Sequence, residues 1–347
     1  MPVPHVTSNH QLCGSRALSS GQEPKANREL PTANCWLFNP SVPSAAPYRG
    51  RLAPSPTGYL HLGHARTFWV AHQRARAACG KLVFRNEDLD FQRARPEFAR
   101  AMFEDLRWLG LDWDEGPDIP PQSGKTGQPG GPGVGGDFGP YIQSQRRAFY
   151  LRAWQTLRDR GFIYPCSCSR KDLERALEAP HEEHENDEIP YPGTCRHKLD
   201  TAKDWQSPAG VSWRFKVPDG ETISFQDLYY GQQGYVAGKD FSDFLIWRRD
   251  DIPAYQLAVV ADDDAMQISE VVRGADLLKS TARQLLLFRA LGIRPPKYFH
   301  CPLLRDDKNV RLAKRHAALS LRTLRAQGVQ PVSLRERFAR EIAWRDL

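Results

Sequence analysis

The sequence predicts an α/β fold, a doubly wound parallel sheet of Rossmann-like type, on three observations. Segments of strand and helix character alternate from about residue 49 onward. A Pro- and Gly-punctuated turn joins the first strand to the first helix. The second strand runs out into carboxylates, at the edge where such sheets place their ligands.

The turn is carried by Arg51-Leu-Ala-Pro-Ser-Pro-Thr-Gly-Tyr-Leu-His-Leu-Gly-His64. Pro54 and Pro56 stiffen the approach, and Gly58 and Gly63 permit a close backbone contact or a positive φ. From His64 to Gly80 the apolar groups fall at helical spacing, and Gly80 supplies a stop. Lys81-Leu-Val-Phe-Arg-Asn-Glu-Asp88 reads as a buried strand with Glu87 at its C-terminal end. Pro96 to Gly110 reads as a helix with a proline start and a glycine stop.

Two segments stand outside this pattern. Residues 1–48 are rich in Pro, Ser, Ala and Asn, have no apolar period and are expected to lack stable structure. They hold no continuous apolar core for a secretory signal, and Glu23 and Glu29 do not suit an organellar transit peptide; translation from a downstream start is an alternative. Gly124 to Gly139 contains eight glycines in sixteen residues. No strand or G-K-[ST] helix start frames it as a phosphate loop, so it reads as a flexible surface insertion.

Composition narrows the function classes. The 347 residues suffice for about two domains, and 48 basic against 41 acidic residues leave a formal charge of +7, which suits a polyanionic partner without naming one. No apolar run approaches the ~20 residues of a membrane-spanning helix. Seven cysteines, an odd number scattered along the chain, argue against a secreted disulfide framework and for a cytoplasmic protein.

Two constellations carry chemistry. A helix starting after Gly63 offers backbone N–H groups to a phosphate chain, and His61 and His64, three residues apart, can share a face and donate to a phosphoryl group. A bare H-x-x-H is more often an ordinary capped turn; the surrounding string is what favours a nucleotide site. Cys166, Cys168 and Cys195 form a plausible structural Zn²⁺ pattern, with Tyr191, His181, His184 and His197 as rival fourth ligands.

The string from Arg51 to His64 resembles the signature of class I aminoacyl-tRNA synthetases, in the glutamyl/glutaminyl subgroup. Asp251-Ile-Pro-Ala-Tyr-Gln-Leu-Ala-Val-Val-Ala-Asp-Asp-Asp264 and Val271-Val-Arg-Gly-Ala-Asp-Leu-Leu278 resemble the second half of the same catalytic fold. The resemblance covers roughly Arg49 to Trp344. It implies a glutamate pocket lined by Arg51, Ala53, Ser55, Glu87, Tyr255 and Arg273, with Glu87 taking the α-ammonium. Arg273 is expected on the γ-carboxylate, since an acidic side chain suits a guanidinium fork. For Glu87 the bland reading is a salt bridge to a neighbouring arginine; for Arg273 it is a helix-start pairing with Asp276.

The resemblance further implies ATP held by His61, Gly63, His64 and Lys314, with Mg²⁺. Lys314 and Arg315 match the mobile basic loop of the subgroup, while Arg311 and Ala313 depart from its usual lysine and serine. It selects Tyr191 as the fourth zinc ligand. The domains expected are an extension at 1–48, catalytic halves at 49–160 and 241–320, a zinc-containing insertion at 161–240 and a helical segment at 321–347.

Only 33 residues follow Lys314, which leaves no room for an anticodon-binding domain. The chain therefore resembles the truncated members of the subgroup that join glutamate to the queuosine base of tRNA(Asp), and a monomer is expected. The rivals are a shortened enzyme charging a tRNA 3′ end, a catalytically silent RNA-binding paralogue, and a small-molecule ligase sharing the H-x-G-H fold.

Overall fold

The computed structural model describes residues 47–120, 135–169, 171–172, 191–304 and 320–342. Most of the Gly-rich segment, the loop with Lys314, and His181 and His184 lie outside the described residues.

Strand β1 (Arg49–Leu52) leads through the Pro-rich turn into helix α1 (Leu62–Ala77), and β2 (Lys81–Phe84) returns parallel to β1, pairing Arg49 with Lys81 through Leu52 with Phe84. Helix α2 (Pro96–Trp108) begins on its proline, and Gly110 turns the chain at φ +85°. Helix α3 (Arg147–Asp159) then leads to β3 (Ile163–Cys166), β4 (Ser212–Phe215), β5 (Thr222–Asp227), β6 (Gly231–Val236) and β7 (Phe244–Trp247). Helix α4 (Tyr255–Ala265), β8 (Glu270–Gly274), α5 (Leu278–Leu291) and β9 (Lys297–Cys301) follow, and α6 (Leu321–Ala326) and α7 (Pro331–Glu341) complete the described chain.

The strands form three ladders: parallel β1-β2, antiparallel β3-β4-β7, and β6-β5-β9-β8, in which β5, β9 and β8 are parallel. The elements of 161–240 thus divide between two sheets, since β5 reaches β9 through the Asp227–Tyr298 pair. The Ser269 amide donates to the Arg49 carbonyl at 2.9 Å and brings β1 alongside β8.

Successive strand residues face opposite ways, and both faces are covered. Leu82, Phe84, Val272 and Phe299 join the core built with α1, α2 and α7, whereas the intervening Val83, Val271 and Tyr298 pack with Met266 and Ile268 on the other side. This is the doubly wound arrangement. A further core under α3, α4 and α5 buries Trp154, Trp213 and Trp247 completely.

Of the two uses expected for the turn glycines, Gly63 shows the close contact, since a Cβ would sit 3.1 Å from the His61 ring, whereas Gly58 shows neither the close contact nor a positive φ. Three further expectations need correction. Helix α1 ends at Ala77, not Gly80, because Cys79 itself adopts the left-handed turn at φ 49°; Gly80 is needed where a Cβ would meet the Tyr48 carbonyl at 2.5 Å. The second strand stops at Phe84, and Asn86 instead makes an isolated parallel bridge to Ile142. At the described end of the Gly-rich segment, Phe138 lies under the Arg49 guanidinium at 4.6 Å, so this part is anchored to the fold.

Candidate active site

His61 is the N-cap of α1. Its Nδ1 accepts from the Gly63 amide at 3.2 Å, and its ring stacks on His64 with centroids 3.8 Å apart and planes at 27°. The two histidines therefore share one face at the positive end of the helix dipole. Ser320 bridges to His61, and the Leu321 amide donates to the Leu60 carbonyl at 2.7 Å, so the chain six residues beyond Lys314 is pinned beside this helix start.

Beside it, at the C-terminal ends of β1, β2 and β8, lie Arg51, Glu87 and Arg273, all buried. Arg51 Nη1 donates to the Val272 carbonyl at 2.9 Å, and its Nε lies 3.6 Å from Asp263. Desolvation lowers the Arg51 pKa; Asp263 opposes the shift, and the nearby Arg85 and Arg273 add to it. Glu87 accepts from Arg85 at 3.2 and 2.9 Å through Oε1 alone, so the salt bridge of the bland reading is present and Oε2 remains for a second cation. Burial pushes the Glu87 carboxyl up, against Arg85 and Arg51.

Arg273 lies in β8, not at a helix start, and does not pair with Asp276. Its Nε approaches His300 Nε2 at 3.1 Å, Nη1 donates to Gln284 Oε1 at 2.8 Å, and Nη2 donates to Thr281 Oγ1 at 2.7 Å and the Leu277 carbonyl at 3.5 Å. All four partners are neutral oxygens or an imidazole. Tyr255, at the start of α4, is 41% exposed, yet desolvation by the packed wall around it raises its phenol pKa, with Arg273 opposing and Glu87 adding. Ala53 is half-buried and Ser55 exposed in the turn after β1.

Sequence reasoning missed what holds this pocket. Arg85 and Arg146 are fully buried; Arg85 donates to Asp263 at 2.7 Å, and Arg146 reaches Asp262 at 2.5 Å. Gln143 and Tyr150 also donate to Asp262, at 2.8 and 2.9 Å. Buried charges persist only when paired and hydrogen-bonded in this way. The signal was available: Asp262 and Asp263 lie on an otherwise apolar helical stretch, where acidic residues demand buried partners.

At the end of β3 a second site gathers three free cysteines. The thiols of Cys166, Cys168 and Cys195 all lie within 4.8 Å of one another, with Cys168 and Cys195 3.6 Å apart. The Tyr191 hydroxyl is 3.5 Å from Cys166 and 3.8 Å from Cys168. Tetrahedral coordination with Zn–S bonds of about 2.3 Å spaces thiolates by roughly 3.8 Å, so this donor set fits a metal ion. His197 turns away and is bonded to the Thr194 carbonyl at 3.1 Å.

Against the upward push of desolvation, the Ser167 backbone and the Tyr191 hydroxyl hold the Cys195 thiol below its ordinary value. Burial and the Cys195 contact take Cys168 up to about 11, and burial and Cys166 raise the Tyr191 phenol. A bound divalent cation would reverse those last two directions.

Comparison with known proteins agrees with this geometry. Residues 48–344 match the family model of class I tRNA synthetases (E and Q), catalytic domain. The chain is 47% identical over 288 residues to the glutamyl-Q tRNA(Asp) synthetase of Nitratidesulfovibrio vulgaris, covering 82% of this chain and 83% of the relative. It is 46% identical to the enzyme of the same name from Symbiobacterium thermophilum, covering 81% and 82%. A glutamate tRNA ligase from Elizabethkingia meningosepticum, solved with its amino acid, superposes with a TM-score of 0.61 at 29% identity, over 77% of this chain and 52% of that one. The chain belongs to the glutamyl-Q tRNA(Asp) synthetase family, within the class I (E and Q) tRNA synthetases.

Proposed function

We propose that the protein activates L-glutamate with ATP and transfers the glutamyl group to the queuosine base of tRNA(Asp). The observation that carries the glutamate assignment is Arg273, a buried guanidinium held by neutral groups alone, whose uncompensated charge suits a γ-carboxylate. The transfer assignment rests on relatives of that name, matched over most of their length as well as most of this chain.

Arg273 takes the γ-carboxylate and Glu87 Oε2 the α-ammonium, with Arg51, Ala53, Ser55 and Tyr255 completing the wall. A glutamate α-carboxylate oxygen attacks the α-phosphorus of ATP in line and pyrophosphate leaves. His61, His64 and the amides after Gly63 stabilise the charge spread over the phosphates, and Lys314 meets the departing pyrophosphate. No protein nucleophile is needed. A hydroxyl of the queuosine cyclopentenediol then attacks the activated carbonyl, expelling AMP and losing its proton. Mg²⁺ bound with ATP would neutralise phosphate charge, and Zn²⁺ on Cys166, Cys168, Cys195 and Tyr191 would brace the insertion.

Transfer of labelled glutamate to tRNA(Asp) with and without queuosine, followed by nuclease mapping, tests the proposal. Label on the anticodon-loop fragment only when queuosine is present is expected. Label at the 3′ end would reassign the protein to ordinary aminoacylation.

A further inference from the structure

Arg273 is held by a histidine whose protonation is itself controlled. His300, on β9 and fully buried, sits between two charged partners of opposite demand, with the Thr281 hydroxyl also 3.2 Å from its Nε2. Its Nδ1 lies 2.6 Å from Asp227 Oδ2, and its Nε2 lies 3.1 Å from Arg273 Nε. A guanidinium N–H can only donate, so Nε2 must present a lone pair; a carboxylate can only accept, so Nδ1 must carry the proton. Only the neutral, Nδ1-protonated ring satisfies both. Desolvation lowers the His300 pKa and Arg273 adds to this, while Asp227 opposes.

We propose that Asp227 and His300 are positioning residues for glutamate recognition: Asp227 locks the His300 tautomer, and the ring holds Arg273 from behind without neutralising it. This deepens the glutamate-activation reading and rests on it. A carboxylate placed directly against Arg273 would hold the guanidinium equally well but cancel the charge that the substrate's own carboxylate needs. Interposing the imidazole keeps Asp227 off Arg273.

Asp227 lies at the end of β5, far in sequence from the pocket, and its other oxygen Oδ1 accepts from the Tyr229 and Tyr230 amides at 3.0 and 2.9 Å. This makes Asp227→Asn a selective probe. The amide oxygen can retain these bonds and that from the His300 amide at 3.4 Å, while its NH₂ faces Nδ1 and can only donate. The ring proton must then move to Nε2, where it opposes the Arg273 N–H.

In glutamate-dependent pyrophosphate exchange, Asp227→Asn should raise the KM for glutamate about ten- to a hundredfold, the scale of a lost charge-assisted hydrogen bond. The KM for ATP should stay within about twofold. A folded Asp227→Asn protein with an unchanged glutamate KM would overturn the lock. The unsubstituted protein provides an independent reading: ¹⁵N-histidine NMR, with the His300 signal identified by difference against His300→Gln, should show a neutral ring protonated at Nδ1. A ring protonated at Nε2, or at both nitrogens, near neutral pH would overturn the proposal even if Asp227→Asn does not fold. An Nδ1-protonated ring in a protein that supports no glutamate-dependent exchange would leave the lock standing and remove the functional reading instead.

Discussion

At Arg273, hydrogen bonds from three elements besides its own strand fix the fork in place: Leu277 before α5, Thr281 and Gln284 on α5, and His300 on β9. Arg273→Ala should cut kcat/KM for glutamate in pyrophosphate exchange by at least about thirtyfold, since truncating one partner of a buried charge pair costs about 2–5 kcal/mol. ATP binding should be little altered, because the histidines sit on a different element; an unchanged glutamate-dependent rate would remove Arg273 from the pocket. Arg273 was legible in the sequence through the resemblance of Val271-Val-Arg-Gly-Ala-Asp-Leu-Leu278 to the family's motif. His300 and Asp227 were not, because a tautomer lock has no local pattern: its three members are 73 and 27 residues apart along the chain.

Among the elements, α7 shows how burial decides a role that composition obscures. Pro331 to Trp344 reads as a basic helical segment, yet Leu334, Phe338 and Ile342 join the main core, and Phe338 lies 6.1 Å from the Trp69 ring on α1. Arg335 donates to the Leu109 carbonyl at 2.9 Å, behind α2. Phe338→Ala should therefore destabilise the protein by about 3–5 kcal/mol, as for other buried phenylalanines, read as a fall in the denaturant midpoint. A loss under about 1 kcal/mol would mean that α7 does not hold α1. The cysteine cluster makes the converse case, a short sheet beside three thiols placed to take a metal ion. Cys195→Ser should lower bound zinc from one per chain toward zero by elemental analysis, and unaltered zinc content would refute the ligand set. Helix α2 was legible almost to its ends, because Pro96 and Gly110 punctuate it. The second strand was over-extended because its carboxylates are carried on a turn whose course is set by the bridge from Asn86 to Ile142.

At the scale of the described chain the candidate site is assembled by strand order. Parallel β5, β9 and β8, with β1 and β2 alongside, bring together groups from the first turn, the second strand, the insertion and the last strand. The buried network of Arg85, Arg146, Asp262 and Asp263 then ties α4 to the segments around β2 and the start of α3. By itself the sequence determined the α/β class, the helix start that carries His61 and His64, the three thiols of the candidate metal site and, through resemblance, the family. The class and the helix start rest on residues close together in the chain, where backbone geometry and spacing suffice; the family rests on the resemblance of whole motifs, and the thiol set on a C-x-C pair with Cys195 27 residues further on. Only the tertiary structure decided which groups share Arg273, that one Glu87 oxygen is already engaged, and that the last helix belongs to the core. Those are facts of burial and hydrogen-bond partnership between distant segments, and such partnerships exist only once the sheet has ordered its strands.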